Sequence, residues 1–364
     1  MKMGKLRVLE LSGSYYEMGY QHGKTFRDEI HMFTEDRIKL SMSDEWTGRA
    51  LSRDDVLSLA EACVAEHQAY TPELMEELQG TSDATGLSLA KLIINNGFTD
   101  FIDVVYNAES LLPKSPTKVA DNCTAFLVPK QRASIGNGLY GQTWDMHATA
   151  TPYVILFKGK PDNAPEFLVF TITGCVGMIG MNSAGIAVGI NNLSGNDGRI
   201  GVTWTFVIRK MLMQETLEDA LACLTSAKLA GAHNYLLMDK NGRGYNVEAM
   251  ATGCHIEELT TDPIAHTNHC LVDYTQDLQR QRPPDSMIAS QNRLTRANTL
   301  LNTDQPITPE MLMQVTRDQE YICVTPKPPF NVESCGGAVM SPATGDFWAV
   351  WGLPSDNEYE HFTI

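Results

Sequence analysis

Cys123 stands just ahead of the apolar run Ala125-Phe126-Leu127-Val128, in the stretch Ala120-Asp121-Asn122-Cys123-Thr124. A cysteine at a free N-terminus carries its own base, an α-amine with a pKa near ~8 beside a thiol near ~8.5. No separate histidine is then required. Such a terminus arises if the Cys123 thiolate attacks the carbonyl carbon of Asn122, moves the acyl group from nitrogen to sulfur, and leaves a thioester for water to cleave. The chain then becomes two pieces, residues 1–122 and 123–364. The commoner reading of an isolated cysteine is a buried structural thiol at the start of a strand, so the case for chemistry rests on what accompanies it.

Four polar stretches can converge on Cys123. Gly141-Gln142-Thr143-Trp144-Asp145 ends an apolar segment that can pair with the Cys123 strand, bringing the Asp145 carboxylate to the edge where the thiol emerges. In a partly dry pocket that carboxylate orients an α-ammonium and holds it charged; alone, it is an ordinary turn starter. Asn191-Asn192 closes the apolar strand Gly185–Ile190, and two amides there either cap a turn or donate into a pocket. Ala265-His266-Thr267-Asn268-His269 is a third strand end, and the Asn268 amide suits the oxyanion that forms when a thiolate attacks an amide carbonyl. His266 and His269 lie three apart, but no H-E-x-x-H pattern supports a metal. In Ser290-Gln291-Asn292-Arg293-Leu294-Thr295-Arg296-Ala297, Arg293 and Arg296 share one helix side, where an arginine lowers a thiol pKa, binds a carboxylate, or belongs to a solvated charge face.

The elements that must position these residues divide the chain. Capping-box spacing at Ser14-Tyr15-Tyr16-Glu17 opens a periodic run toward Leu40, and helical stretches follow at about 53–69, 72–85 and 88–104. Gly19 and Gly23 inside the first run point to close packing against another backbone, and His22 between them reads as structural. The segment Tyr106 to Val119, with Pro113-Lys114-Ser115-Pro116, has the composition of an exposed loop ahead of the junction.

Beyond Cys123 the strand signals fall at 125–128, 138–143, 153–157, 166–173, 177–181 and 186–191, with a hairpin turn at Asn182-Ser183-Ala184-Gly185. Helices are expected at 203–214 and 217–227, and strands return at 235–238, 244–248, 255–259 and 264–268. Helices at 286–301 and from Thr308 precede closing strands at 335–341 and 347–351. Strand blocks flanked by helix blocks, without β-α-β alternation, give an α+β chain of two mainly antiparallel sheets between helical layers, with a helical N-terminal portion.

A formal charge of -16 disfavours nucleic acid and anionic membranes as partners. No apolar run approaches the ~20 residues of a membrane span, and the opening residues are too short and interrupted for an export signal. Eight scattered cysteines without a C-x-x-C pair signal neither a zinc site nor a disulfide framework, so reduced thiols in a cytoplasm are the expectation.

Together these stretches resemble the N-terminal-nucleophile (Ntn) hydrolase superfamily, specifically the acyl-CoA:6-aminopenicillanic acid (isopenicillin N) acyltransferase-like autoproteolytic family. The resemblance runs over Tyr16-Glu17-Met18-Gly19-Tyr20-Gln21-His22-Gly23, the Asn122-Cys123-Thr124-Ala125 junction, Gly141 to Asp145, Met181-Asn182-Ser183-Ala184-Gly185 leading to Asn191, and His266 to His269. Cholylglycine hydrolases are more distantly similar at the cysteine, at the aspartate and at Arg293-x-x-Arg296-Ala297. The resemblance implies a four-layer αββα sandwich, a precursor that cuts itself between Asn122 and Cys123 into an αβ heterodimer, and amide-directed acyl chemistry with no cofactor.

By matching positions Cys123 is nucleophile and base, Asp145 orients its amine, Asn268 and the Asn191 region line the oxyanion pocket, and Arg293 matches the cholylglycine-hydrolase arginine. Thr143, Trp144 and His266, in the same polar stretches, are the candidate substrate-binding residues. Two departures stand out. Asn122 replaces the family's glycine before the nucleophile, and Val324 stands where the family carries an arginine after Ile-Cys, leaving Arg293 or Lys327 to substitute. The expected activity is hydrolysis of a small N-acyl or peptide-like amide through a thioester. The alternatives are acyl transfer from acyl-CoA to an amine and an uncleaved, non-catalytic binder of small molecules.

Overall fold

A computed structural model describes residues 5–108, 122–328 and 331–364. The chain opens with a strand that the sequence pattern does not announce, β1 (Arg7–Gly13), and then turns helical: α1 (Tyr15–Thr25), α2 (Arg27–Ser41), α3 (Asp44–Thr47), α4 (Arg53–Tyr70), α5 (Pro72–Thr85), α6 (Leu89–Asn96) and α7 (Phe98–Asn107). The Ser14 capping box forms as its spacing predicts: the Ser14 hydroxyl accepts from the Glu17 N–H at 3.3 Å and the Glu17 carboxylate accepts from the Ser14 N–H at 2.8 Å.

Two expected helices are each broken in two. The run toward Leu40 divides at Phe26, and the run at 88–104 divides at Gly97, where a Cβ would stand 2.2 Å from the Thr203 methyl. Thr203, about a hundred positions away along the chain, packs directly on that break. Tyr106 and Asn107 still belong to α7, and the expected exposed loop beyond them lies largely outside the described residues.

The remainder supplies β2 (Ala125–Val128), β3 (Leu139–His147), β4 (Val154–Pro161), β5 (Phe167–Ile172), β6 (Ile179–Asn182) and β7 (Ile186–Asn192), then α8 (Trp204–Met211) and α9 (Leu217–Thr225). After these come β8 (His233–Asp239), β9 (Gly244–Ala249), β10 (Cys254–Glu258), β11 (Ile264–His266), α10 (Asp273–Gln276), α11 (Pro284–Leu301) and α12 (Pro309–Thr316). The chain closes with β12 (Val332–Ser341), β13 (Asp346–Trp351) and β14 (Glu360–Thr363). The short helices α3 and α10 and the edge strand β14 carry too little periodicity to be read from sequence.

Two sheets form, one of eight strands in the order β1-β4-β5-β6-β7-β8-β9-β10 and one of six in the order β11-β2-β3-β12-β13-β14. Every pair is antiparallel except β1 with β4. The sheets pack face to face. Gly189 of β7 leaves room for Tyr140 and Gln142 of β3, whose atoms lie 2.1 Å from where a Cβ would be, and Gly336 of β12 leaves room for Phe170 of β5. The Gln142 side chain ties the layers together, donating to the Ile190 carbonyl and accepting from the Ile190 N–H, each at 3.0 Å. Helices α1, α8 and α9 lie against the larger sheet, and α11 and α12 against the smaller, where Ala297, Leu301 and Leu312 pack with Phe126, Val128 and Val339. The result is the αββα layering expected, with the helical N-terminal portion attached to the larger sheet.

Candidate active site

The pairing of β2 with β3 sets Ala125 opposite Gln142, and the register runs on past the strand end: the Thr143 N–H donates to the Thr124 carbonyl at 2.9 Å and the Thr124 N–H donates to the Thr143 hydroxyl at 3.2 Å. This fixes the chain immediately after Cys123. The Cys123 sulfur, 2 % exposed, accepts from the Asp145 N–H at 3.4 Å and lies 3.8 Å from the Asp145 carbonyl. Strand β3 does not stop at Asp145, as the sequence suggests, but continues to His147 against β12. A bulge between Ser334 and Gly336 sits across from Asp145. The carboxylate of Asp145 is wholly buried there, beside two thiols; burial, joined by the nearby negative charge of Asp145, pushes both Cys323 and Cys335 up.

Helix α11 delivers the cation. Arg293 is 2 % exposed, and its Nη1 donates to the Cys123 carbonyl at 2.6 Å and to the Thr124 hydroxyl at 3.2 Å. Its Nη2 donates to Asn268 Oδ1 at 3.0 Å and reaches Asn122 Oδ1 at 3.5 Å. Arg296, three residues on, turns instead to Asp318 at 2.6 Å. The two arginines therefore have separate duties.

Asn268 is held on three sides. Its N–H donates to the Ser290 hydroxyl at 3.0 Å, its Oδ1 accepts from Arg293, and its Nδ2 donates to the Asn192 carbonyl at 3.0 Å. Accepting through oxygen fixes which end of the amide is NH₂, and the second Nδ2 hydrogen is left to donate elsewhere. Asn191 is fully buried, and neither its Oδ1 nor its Nδ2 has a partner among the described residues. A buried amide with both ends unsatisfied requires an explanation, and a ligand is one.

His266 has both ring nitrogens engaged, Nε2 with Glu248 at 2.9 Å and Nδ1 with the Thr267 carbonyl at 2.8 Å. Burial pushes the Glu248 carboxyl up, but His266, Thr275 and the Leu271 N–H together hold it below its usual range. This arrangement braces the strand end carrying Asn268. Thr143 holds Thr124, and the Trp144 ring is buried between the sheets.

Ser290 and Gln142, both part of this framework, are not marked out by sequence; their roles depend on contacts 22 and 48 residues away along the chain. Lys327 is exposed, and Val324 pairs with Ser334 through backbone and hydroxyl at 2.9 Å, so the cation here comes from α11. His22 accepts from the Gly174 N–H at 2.9 Å, and burial pushes it down to about 3. Among the described residues no three His, Cys, Asp or Glu side chains gather in a group that could hold a metal ion, and no helix is long and apolar enough to cross a membrane.

The model of the acyl-coenzyme A:6-aminopenicillanic acid acyl-transferase family matches residues 133–334, more than half of the chain. The acyl-coenzyme A:6-aminopenicillanic-acid-acyltransferase 40 kDa form of Emericella nidulans is 24% identical over 277 residues, 75% of this chain and 72% of that protein. An uncharacterised protein of Archaeoglobus fulgidus is 25% identical over 252 residues, 65% of this chain but only 42% of its own length. Among solved structures, a conjugated bile acid hydrolase from Clostridium perfringens superposes with a TM-score of 0.43 at 12% identity, covering 66% of this chain and 97% of that one. Penicillin V acylase from Agrobacterium tumefaciens gives 0.37 at 12% identity, covering 68% and 80%.

Proposed function

Since the chain belongs to the acyl-coenzyme A:6-aminopenicillanic acid acyl-transferase family, we propose that it is an acyl-transferring amidase whose nucleophile is Cys123, made N-terminal by cleavage of the chain after Asn122. The observation that carries this reading is the convergence on one dipeptide: Arg293 holds the Cys123 carbonyl and reaches Asn122, while Asn268, fixed by the same guanidinium, keeps a donor free. A structural thiol needs none of that apparatus.

In the mature protein the Cys123 amine takes the thiol proton as sulfur attacks the carbonyl carbon of a small N-acyl amide. The tetrahedral oxyanion receives hydrogen bonds from Asn268 and Asn191; losing one such donor typically costs ~10²- to 10³-fold in rate. Collapse breaks the C–N bond, the leaving amine takes the proton back from the Cys123 ammonium, and the acyl group stays on sulfur as a thioester. Water, or a second amine, then attacks the thioester, and the thiol is regenerated. Asp145 keeps the ammonium charged and oriented between these transfers. Membership of an acyl-transferase family favours an amine as one natural acceptor, with an acyl thioester as an alternative donor.

Intact-mass measurement of purified protein tests the reading. The expected result is two fragments, 1–122 and 123–364, in the wild type and a single 40.2 kDa chain in Cys123→Ala. Normal processing of Cys123→Ala, or full amidase activity in protein that remains one chain, would falsify it.

A further inference from the structure

Asn191 has a neighbour that the reaction scheme does not use. Gly189, two residues earlier on β7, faces β3, so Asn191 projects to the same side, toward the smaller sheet that carries Cys123 just ahead of β2. In the pairing of β7 with β8 the residue directly opposite is Asn234, which is fully buried. Opposed residues share a face with their Cβ atoms about 4.5–5.5 Å apart, so the two amides are within reach of each other. Three of their four polar atoms have no partner among the described residues: both ends of Asn191, and Oδ1 of Asn234.

The fourth atom begins a chain of amides. Asn234 Nδ2 donates to Asn246 Oδ1 on β9 at 2.7 Å, and Asn246 Nδ2 donates to the Glu257 carboxylate on β10 at 3.0 Å. The chain has one direction. A carboxylate only accepts, so Asn246 turns its NH₂ to Glu257 and its oxygen to Asn234; Asn234 then gives its NH₂ to Asn246 and keeps its oxygen on the β7 side. Glu248, opposite Asn234 on β9, does not compete, because its oxygens are already taken by His266, the Leu271 N–H and the Thr275 hydroxyl.

We infer that Asn234 is a positioning residue of the Cys123 centre: its oxygen takes one hydrogen of Asn191 Nδ2, so that the other is aimed at the oxyanion. The inference rests on Cys123 as nucleophile and on Asn191 as an oxyanion donor. The last torsion of an asparagine is soft, so an acceptor beside Asn191 is what decides which end of its amide faces the reacting carbonyl. Asn268 is anchored in the same manner, with one Nδ2 hydrogen on the Asn192 carbonyl and the second left for substrate. Each sheet thus supplies one oxyanion donor, and each donor is aimed by an oxygen of the larger sheet.

The test separates oxyanion stabilisation from the nucleophile. Wild type and Asn234→Leu, which removes both amide atoms at similar volume, are compared in kcat and KM on an N-acyl aminomethylcoumarin amide, in thermal midpoint, and in the rate at which iodoacetamide alkylates Cys123, read from the mass of the peptide that bears it. Alkylation displaces iodide from a saturated carbon and forms no oxyanion, so it reports the thiol alone. The expected result is a kcat lowered roughly 10- to 100-fold, with KM and the alkylation rate little changed. Should Asn234→Leu fail to fold, the chain is probed one link further out: Asn246→Leu frees the Asn234 amide to turn over and should lower kcat, and Asn246→Asp, which keeps an acceptor for it, should lower kcat much less. If kcat is unchanged in Asn234→Leu, if it falls together with alkylation and the thermal midpoint, or if the two Asn246 variants behave alike, Asn234 is only structural and the inference fails while the Cys123 reading stands. If the wild type neither turns over the amide nor is split after Asn122, the Cys123 reading itself fails and takes the inference with it.

Discussion

Asp145 contributes to the site twice, and the two contributions are separable. Its backbone N–H meets the Cys123 sulfur, while its buried carboxylate lies on the side of Cys323 and Cys335. Asp145→Asn keeps the backbone donor and the side-chain shape but removes the charge that the proposed mechanism uses to hold the Cys123 α-ammonium. Hydrogen bonds to charged groups are worth about 1.5–3 kcal/mol, so kcat/KM should fall at least ~10-fold while the thermal midpoint moves little. A parallel loss of stability and activity would show a merely structural aspartate. At this scale the sequence was most informative where chemistry and strand periodicity coincide, as at Cys123, Asp145 and Asn268. Arg293 was visible only as one of two helical arginines. Its separation from Arg296 depends on which direction α11 faces, and the roles of Ser290 and Gln142 depend on partners far along the chain.

Helices α1 and α5 show what the glycines of the first helical run are for. A Cβ on Gly19 would lie 1.8 Å from the Glu77 carbonyl oxygen, and one on Gly80 would lie 2.1 Å from that of Tyr16. Both clashes are with backbone, which cannot rotate away. Gly80→Ala gains up to about 1 kcal/mol of helix propensity, but overpacking costs about 1–3 kcal/mol or more, and against rigid backbone the cost wins. The urea midpoint should drop, whereas an unchanged or higher midpoint would mean the helices part easily. Close packing was legible from Gly19 and Gly23 alone; its partner was not, because Gly80 reads as an ordinary blemish in α5. Elements with capping signals or strong alternation, such as α4, α5 and β2, matched their expected bounds within a residue or so. Those shaped by distant contacts did not: Thr203 packs on the helix break at Gly97, and β1 pairs with β4 from the far side of the chain.

Over the whole molecule, burial sets a pH limit. It pushes His22 and His147 down to about 3, and His67 and His269 down to about 4. These four are neutral when folded but take up protons near pH ~6.5 when unfolded, so their stability contribution is complete above that value and is lost as pH falls toward their folded pKa values. Glu77 and Asp103, raised by burial, the latter to about 7, act in the opposite sense. The four imidazoles outnumber the two carboxyls, so unfolding takes up protons on balance and stability falls as the pH drops between about 6 and 4.5. Thermal midpoints measured across that interval should fall steeply with acid; a flat profile would contradict the neutral state of these imidazoles.

The parallel seam of β1 with β4, from Arg7 against Ile155 to Gly13 against Pro161, joins the first stretch of the chain to residues on the far side of the junction. Scission after Asn122 would therefore free a terminus without freeing a subunit. The two polypeptides would elute as one species from a sizing column even at high dilution, and would come apart only when the sheet itself is unzipped.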